Sequence, residues 1–75
     1  MEYYNRIKDL REDREMKQSE IASILDITQQ QYSLYEKGKR DIPLDLLIKL
    51  AKYYGVSIDY LLGLTNNPAH YRKDR

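Results

Sequence analysis

The chain has no cysteine, a single histidine, three glycines and no apolar run approaching the roughly 18 residues that span a bilayer. Without cysteine, disulfides and thiol chemistry are both excluded, and packing alone must hold so small a domain together. The lone histidine, His70, stands in a polar tail with no clustered ligands around it, so a zinc site cannot be built. Three glycines supply no phosphate-cradling loop, and no nucleophile-and-base pair presents itself. The adjacent carboxylates Glu12 and Asp13 read as a solvated helix face. These gaps argue against an enzyme and against any metal or cofactor. The beginning lacks a basic segment leading into an apolar one, so we expect a soluble, unprocessed, cytoplasmic protein that does not engage membranes. Strong charge of one sign is also missing. A net charge of +1 argues against coating nucleic acid or lipid by bulk electrostatics, so any such contact must come from local arrangement.

What remains is a chain of 75 residues, 41% hydrophobic and 33% charged. That length allows one domain, which buries only about 60% of its unfolded surface. Helical spacing dominates, and the punctuation predicts five helices. The first covers about residues 3–13, with Ile7, Leu10 and Tyr4 on one face. The second runs from Gln18 to Leu25 on a stripe of Ile21, Ala22 and Leu25. Met16 and Ile21 have the spacing of a hydrophobic staple, and Glu20 can reach back to the first free N–H groups, but Lys17 cannot cap through its side chain, so half a capping box is expected. Asp26 tolerates the left-handed conformation better than most residues and predicts a tight turn. Thr28 with Gln31 forms a capping box, and Ile27 with Tyr32 a second staple, so a third helix is expected from Gln29 to Lys37, ended by Gly38. After the loop KGKRDI, Pro43 opens a fourth helix with apolar residues Leu44, Leu47, Ile48, Ala51 and Tyr54, closed by Gly55. Ser57 caps a short fifth helix, with Val56 stapled to Leu61 and Asp59 in the first turn. Residues 1–64 then form the domain. The tail TNNPAHYRKDR, 65–75, is polar and basic, and fraying is expected beyond Gly63.

Three consecutive glutamines open the third helix. On a wheel of about 100° per residue, Tyr32 and Tyr35 face the core, flanked by Gln31 and Glu36. Gln30, Ser33, Leu34 and Lys37 fall on the opposite side, with Gln29 at its edge. The glutamines therefore divide: Gln31 belongs to the cap, while Gln29 and Gln30 project from the leading end. Two short helices joined by a tight turn, the second presenting amides at its start, is the arrangement by which a helix enters the DNA major groove. A glutamine amide matches the N6 donor and N7 acceptor of adenine, a pairing that discriminates by about 1–3 kcal/mol. Leu34 could touch a thymine methyl. Lys17 and Gln18 at the start of the second helix, and Lys37, Lys39 and Arg40 after the third, are candidate phosphate contacts.

The segments LRE (10–12), KQSEIA (17–22), ITQQQYSLYEKGKRDIP (27–43) and LIKLAKYYGVSIDYLLG (47–63) resemble the lambda repressor and Cro type of helix-turn-helix domain, also called Xre-like. The resemblance implies an all-α, five-helix DNA-binding domain. It implies base contacts at Gln29, Gln30 and Leu34, with Ser33 on the same face, and a phosphate contact at Gln18. It also implies a partly buried ion pair between Arg11 and Glu36, and homodimers on nearly palindromic operators, usually as repressors. The chain departs from the family habit at Lys17, where Ser or Thr usually caps, at Asp26, where Gly usually turns, and at Leu34, where a polar or basic reader is frequent.

The expected function is therefore a sequence-specific, double-stranded-DNA-binding transcription regulator. The expected self-association surface is the fifth helix together with the segment after it, with Tyr60, Leu64 and Tyr71. The alternative, from another class, is a protein-interaction module on the same fold, such as an antitoxin-like partner or a regulatory subunit.

Overall fold

A computed structural model describes residues 6–68 of the chain. Among them are five helices: α1 (Ile7–Asp13), α2 (Gln18–Leu25), α3 (Gln29–Glu36), α4 (Leu44–Tyr54) and α5 (Ile58–Leu61). Tyr4, placed on the face of the first helix by its spacing, and Tyr71 lie outside the described residues.

The helix ends follow local chemistry closely. Thr28 Oγ1 accepts from Gln31 N at 3.1 Å and Ser57 Oγ from Tyr60 N at 3.0 Å, each capping its helix. At α2 the half box is as expected: Glu20 Oε1 accepts from Lys17 N at 2.7 Å, and the Lys17 ammonium has no acceptor to offer in return. The box expected at α3 is corrected by half, because Gln31 Nε2 donates to Tyr35 Oη at 2.9 Å instead of serving the cap. That bond turns the amide along the helix face toward Tyr35, one turn on, rather than back toward the Thr28 N–H.

Each helix is followed by a left-handed residue that folds the next two N–H groups back onto its last carbonyls. After α2 this residue is Asp26, at φ 61°, with Asp26 N bonded to Ser23 O and Ile27 N to Ala22 O. After α3 it is Gly38, at φ 73°, with Gly38 N bonded to Tyr35 O and Lys39 N to Leu34 O. Lys37, expected as the last helical residue, is the C-cap. Glu15 fills the same role after α1 at φ 56°, a turn with no glycine or asparagine to announce it.

The core is one cluster drawn from every helix. Ile7, Ile21, Leu25, Tyr32, Tyr35, Leu50 and Leu61 are the large side chains with almost no exposure. Met16 and Ile27, the outer halves of two staples, pack partly buried against it. Within α4 the burial departs from the expected stripe. Leu47, Ala51 and Tyr54 are inside, but Leu44 is 64% exposed and Ile48 38% exposed, while Leu46 and Leu50 take the inner face. Eight of the eleven positions of α4 are apolar, so two overlapping stripes share Leu47, Ala51 and Tyr54, and periodicity alone cannot choose between them. Ile42, in the loop before α4, also joins the core.

The chain ends meet at Arg6. Its backbone N donates to Leu61 O at 2.9 Å, and its guanidinium donates to Thr65 O at 3.2 Å and Asn66 Oδ1 at 2.7 Å. The same guanidinium stacks 4.4 Å from the centre of the Tyr60 ring. Ser57 N donates to Pro68 O at 3.1 Å. The segment expected to fray beyond Gly63 is thus tied to the domain as far as Pro68. No helix among the described residues is long and apolar enough to cross a membrane.

Candidate nucleic-acid interface

Helices α2 and α3 pack against each other through Ile21, Ala22 and Leu25 on one and Tyr32 and Tyr35 on the other. The left-handed turn at Asp26 sets their angle. Because both helices bury one face, their N-terminal ends are left on the outside. Gln18, Gln29, Gln30 and Ser33 line one open depression there. Gln29 and Gln30 are exposed, and Ser33 and Leu34 are half-buried. Gln31 is withdrawn by its bond to Tyr35. The amide carbonyl and NH2 of the two outward glutamines are therefore available to partners beyond the chain.

The exposed cations Lys17, Lys37, Lys39 and Arg40 flank the depression in sequence, Lys17 before α2 and the others after α3. Gln18 has a second occupation. Its Nε2 donates to Glu36 Oε1 at 3.0 Å, which leaves its carbonyl oxygen and second N–H to face outward. Sequence reasoning missed this link, since nothing local in the spacing of residues 18 and 36 announces it.

Beneath the depression lies the Arg11–Glu36 pair. Arg11 Nε donates to Glu36 Oε2 at 2.6 Å and Nη2 to Oε1 at 3.2 Å, a bidentate fork. Arg11 Nη1 also donates to Met16 O at 2.8 Å, so one guanidinium joins α1, the α1–α2 turn and α3. The side chains are 13% and 3% exposed respectively. Burial alone would raise the Glu36 carboxyl, but hydrogen bonds from Arg11 and Gln18 and the nearby Tyr32 hydroxyl outweigh it, leaving the carboxyl below its ordinary value. The same pairing with Glu36 raises Arg11. Burial, then proximity to the carboxylate, pushes the Tyr32 hydroxyl well up, although Tyr32 Oη closes no hydrogen bond of its own. The carboxylate thus stays ionised, and α3 is held at its C-terminal end by α1 and α2 together.

The helix-turn-helix (HTH_3) family model, of the Xre and Cro type, matches residues 7–61. The chain belongs to that family. In its terms α3 is the recognition helix and α2 its partner across the turn. The helix-turn-helix transcriptional regulator YobD of Bacillus subtilis is 38% identical over 66 residues, which cover 88% of this chain and 59% of that protein. The cryptic phage CTXphi transcriptional repressor RstR of Vibrio cholerae is 38% identical over 61 residues, covering 81% of this chain and 55% of that protein. The crystal structure of a transcriptional regulator from Listeria innocua superposes with a TM-score of 0.74 at 26% identity, covering 92% of this chain and 58% of that one. The chain thus spans somewhat more than half the length of these relatives. The five-helix all-α fold expected from the sequence is the fold of this helix-turn-helix domain.

Proposed function

We propose that this chain is a sequence-specific, double-stranded-DNA-binding transcription regulator, a cytoplasmic repressor that occupies a nearly palindromic operator as a homodimer. The observation that carries the reading is the shared depression at the leading ends of α2 and α3, where Gln29 and Gln30 stand exposed beside Gln18 and Ser33. Gln29, Gln30, Ser33 and Leu34 read base edges, with an amide-to-adenine pairing at Gln30. Lys17, Gln18, Lys37, Lys39 and Arg40 hold phosphates and set the register. Gln18 does so while braced by Glu36, so its position follows that of the recognition helix.

With four flanking cations engaged, the logarithm of affinity falls with the logarithm of salt with a slope of about −3 to −4 per protomer. Such a protomer binds weakly alone, and pairing over half-sites roughly 34 Å apart adds the second set of contacts. Selection of bound duplexes from a random pool tests the reading. An enriched motif, weakened by about 1–3 kcal/mol and relaxed at one base pair in Gln30→Ala, supports it, with Lys39→Ala weakening all duplexes alike. A pool with no enriched sequence would leave a protein-interaction module on the same fold as the correct reading.

A further inference from the structure

Met16 carries the only sulfur atom among the described residues, since the chain has no cysteine and its other methionine is Met1. Its side chain has two neighbours of opposite character. Inward, it packs half-buried against the core as the outer half of the staple that starts α2. Outward, Met16 Sδ accepts a hydrogen bond from Tyr53 Oη at 3.4 Å, a contact that lies at the surface on a tyrosine 44% exposed. The backbone around it is pinned. Arg11 Nη1 donates to Met16 O at 2.8 Å, and Met16 N donates to Arg11 O at 3.1 Å. Two residues earlier, Arg14 Nη2 donates to Tyr54 O at 3.2 Å, and its guanidinium stacks 4.8 Å from the centre of the Tyr54 ring. The thioether is thus the part of this turn that can shift without breaking a backbone bond.

We propose that Met16 is a modification site, oxidised to the sulfoxide by hydrogen peroxide or an organic hydroperoxide, and that the sulfoxide loosens the start of α2 and weakens DNA binding. A sulfur lone pair attacks the terminal oxygen of the hydroperoxide. The S–O bond forms as the O–O bond breaks, and the departing oxygen takes the proton of the transferred hydroxyl and leaves as water or an alcohol. Sulfur loses two electrons and the peroxide gains them. Two thiols of a sulfoxide reductase reverse the step, leaving a disulfide and water. The product no longer suits its place. A sulfoxide is strongly polar, and holding it against the core without a partner is unfavourable. Tyr53 Oη, already at the sulfur, donates more strongly to a sulfoxide oxygen than to a thioether, so the oxidised side chain turns toward Tyr53 and water and leaves the staple. Lys17 and Gln18 follow Met16 directly, so the slack reaches the phosphate-holding end of α2 first. The effect on DNA rests on the proposed function; the oxidation and the loosening of α2 do not.

The test treats the full chain with hydrogen peroxide and reads three things: the mass of the peptide bearing Met16, the melting temperature without DNA, and the affinity for a duplex obtained by selection. Met16 gains oxygen while the chain is folded, and the melting temperature falls by roughly 4–8 °C. Affinity for the duplex falls at least about fivefold, and a methionine sulfoxide reductase with a thiol restores both. Met16→Leu keeps an apolar staple without the sulfur and retains Met1, so its melting and its binding do not respond to peroxide. Met16→Gln, a polar stand-in for the product, lowers both with no oxidant present. A Met16 that gains oxygen only once the chain is unfolded would overturn the site, as would a Met16→Leu chain that still responds. An oxidised chain that melts lower yet binds the duplex unchanged would overturn the link to DNA. Should selection yield no duplex, the DNA reading falls, and the mass and melting results still decide the site.

Discussion

Replacing Glu36 with alanine removes the carboxylate that Arg11 and Gln18 share. Arg11 loses both arms of its fork, at 2.6 and 3.2 Å, and Gln18 loses its acceptor at 3.0 Å. The guanidinium, 13% exposed, stays behind with Met16 O and the exposed Glu12 carboxylate, whose Oε2 lies 3.9 Å from Nη2, and removing the buried partner of such a pair costs about 3–5 kcal/mol. A domain of this size has on the order of 4–11 kcal/mol of total stability, so Glu36→Ala should remove a large share of it. Glu36→Gln keeps the shape and one acceptor and should cost less, about 1.5–3 kcal/mol, the worth of a hydrogen bond to a charged group. Removing both partners in Arg11→Met/Glu36→Leu should recover most of the loss in stability, because desolvating the pair had consumed most of its attraction. Acidity supplies an independent check. The folded-state pKa of Glu36 lies below its ordinary value of 4.5, so the stability it contributes is present above that value and lost as pH falls through the folded pKa. The advantage of the natural chain over Glu36→Gln should therefore be constant near neutrality and shrink below about pH 4.5. Urea unfolding of the natural chain and the three variants at several pH values measures all of this. A cost under about 1 kcal/mol for Glu36→Ala, as for an exposed ion pair, would refute the argument, as would an advantage that does not change with pH.

Asp26→Gly should stabilise the domain by about 1 kcal/mol in thermal unfolding, because the residue sits at φ 61° and glycine removes the left-handed penalty. It should leave sequence preference on DNA unchanged, since the turn angle is retained. Thr28→Ala deletes the acceptor for Gln31 N and should cost about 1 kcal/mol, read in the same melts, with a matching rise in amide exchange at the start of α3.

Punctuation was legible because it is local. Thr28 and Ser57 as caps, Asp26 and Gly38 as left-handed stops and the staples at Met16 and Ile27 each depend on residues within a few positions, whose geometry hardly varies with the rest of the fold. The outward face of α3 was legible for a related reason. Tyr32 and Tyr35 commit that helix to one orientation, and Gln29 and Gln30 take theirs from it. The inner face of α4 was not, because a helix apolar nearly all round has no preferred side until α2 and α5 choose one, and they chose Leu46 and Leu50 over Leu44 and Ile48. Glu15 was hidden because its turn is imposed by packing on a residue that does not prefer it.

By itself the sequence determined five helices, their stops and the glutamine-bearing tip, all set by interactions spanning five residues or fewer. Only the tertiary structure decided that Arg6 holds residues 59 and 60 positions away in the chain, that Gln18 braces Glu36, and which leucines are left outside. Those contacts join parts of the chain that no periodicity relates, and they exist only once the core has brought the helices together.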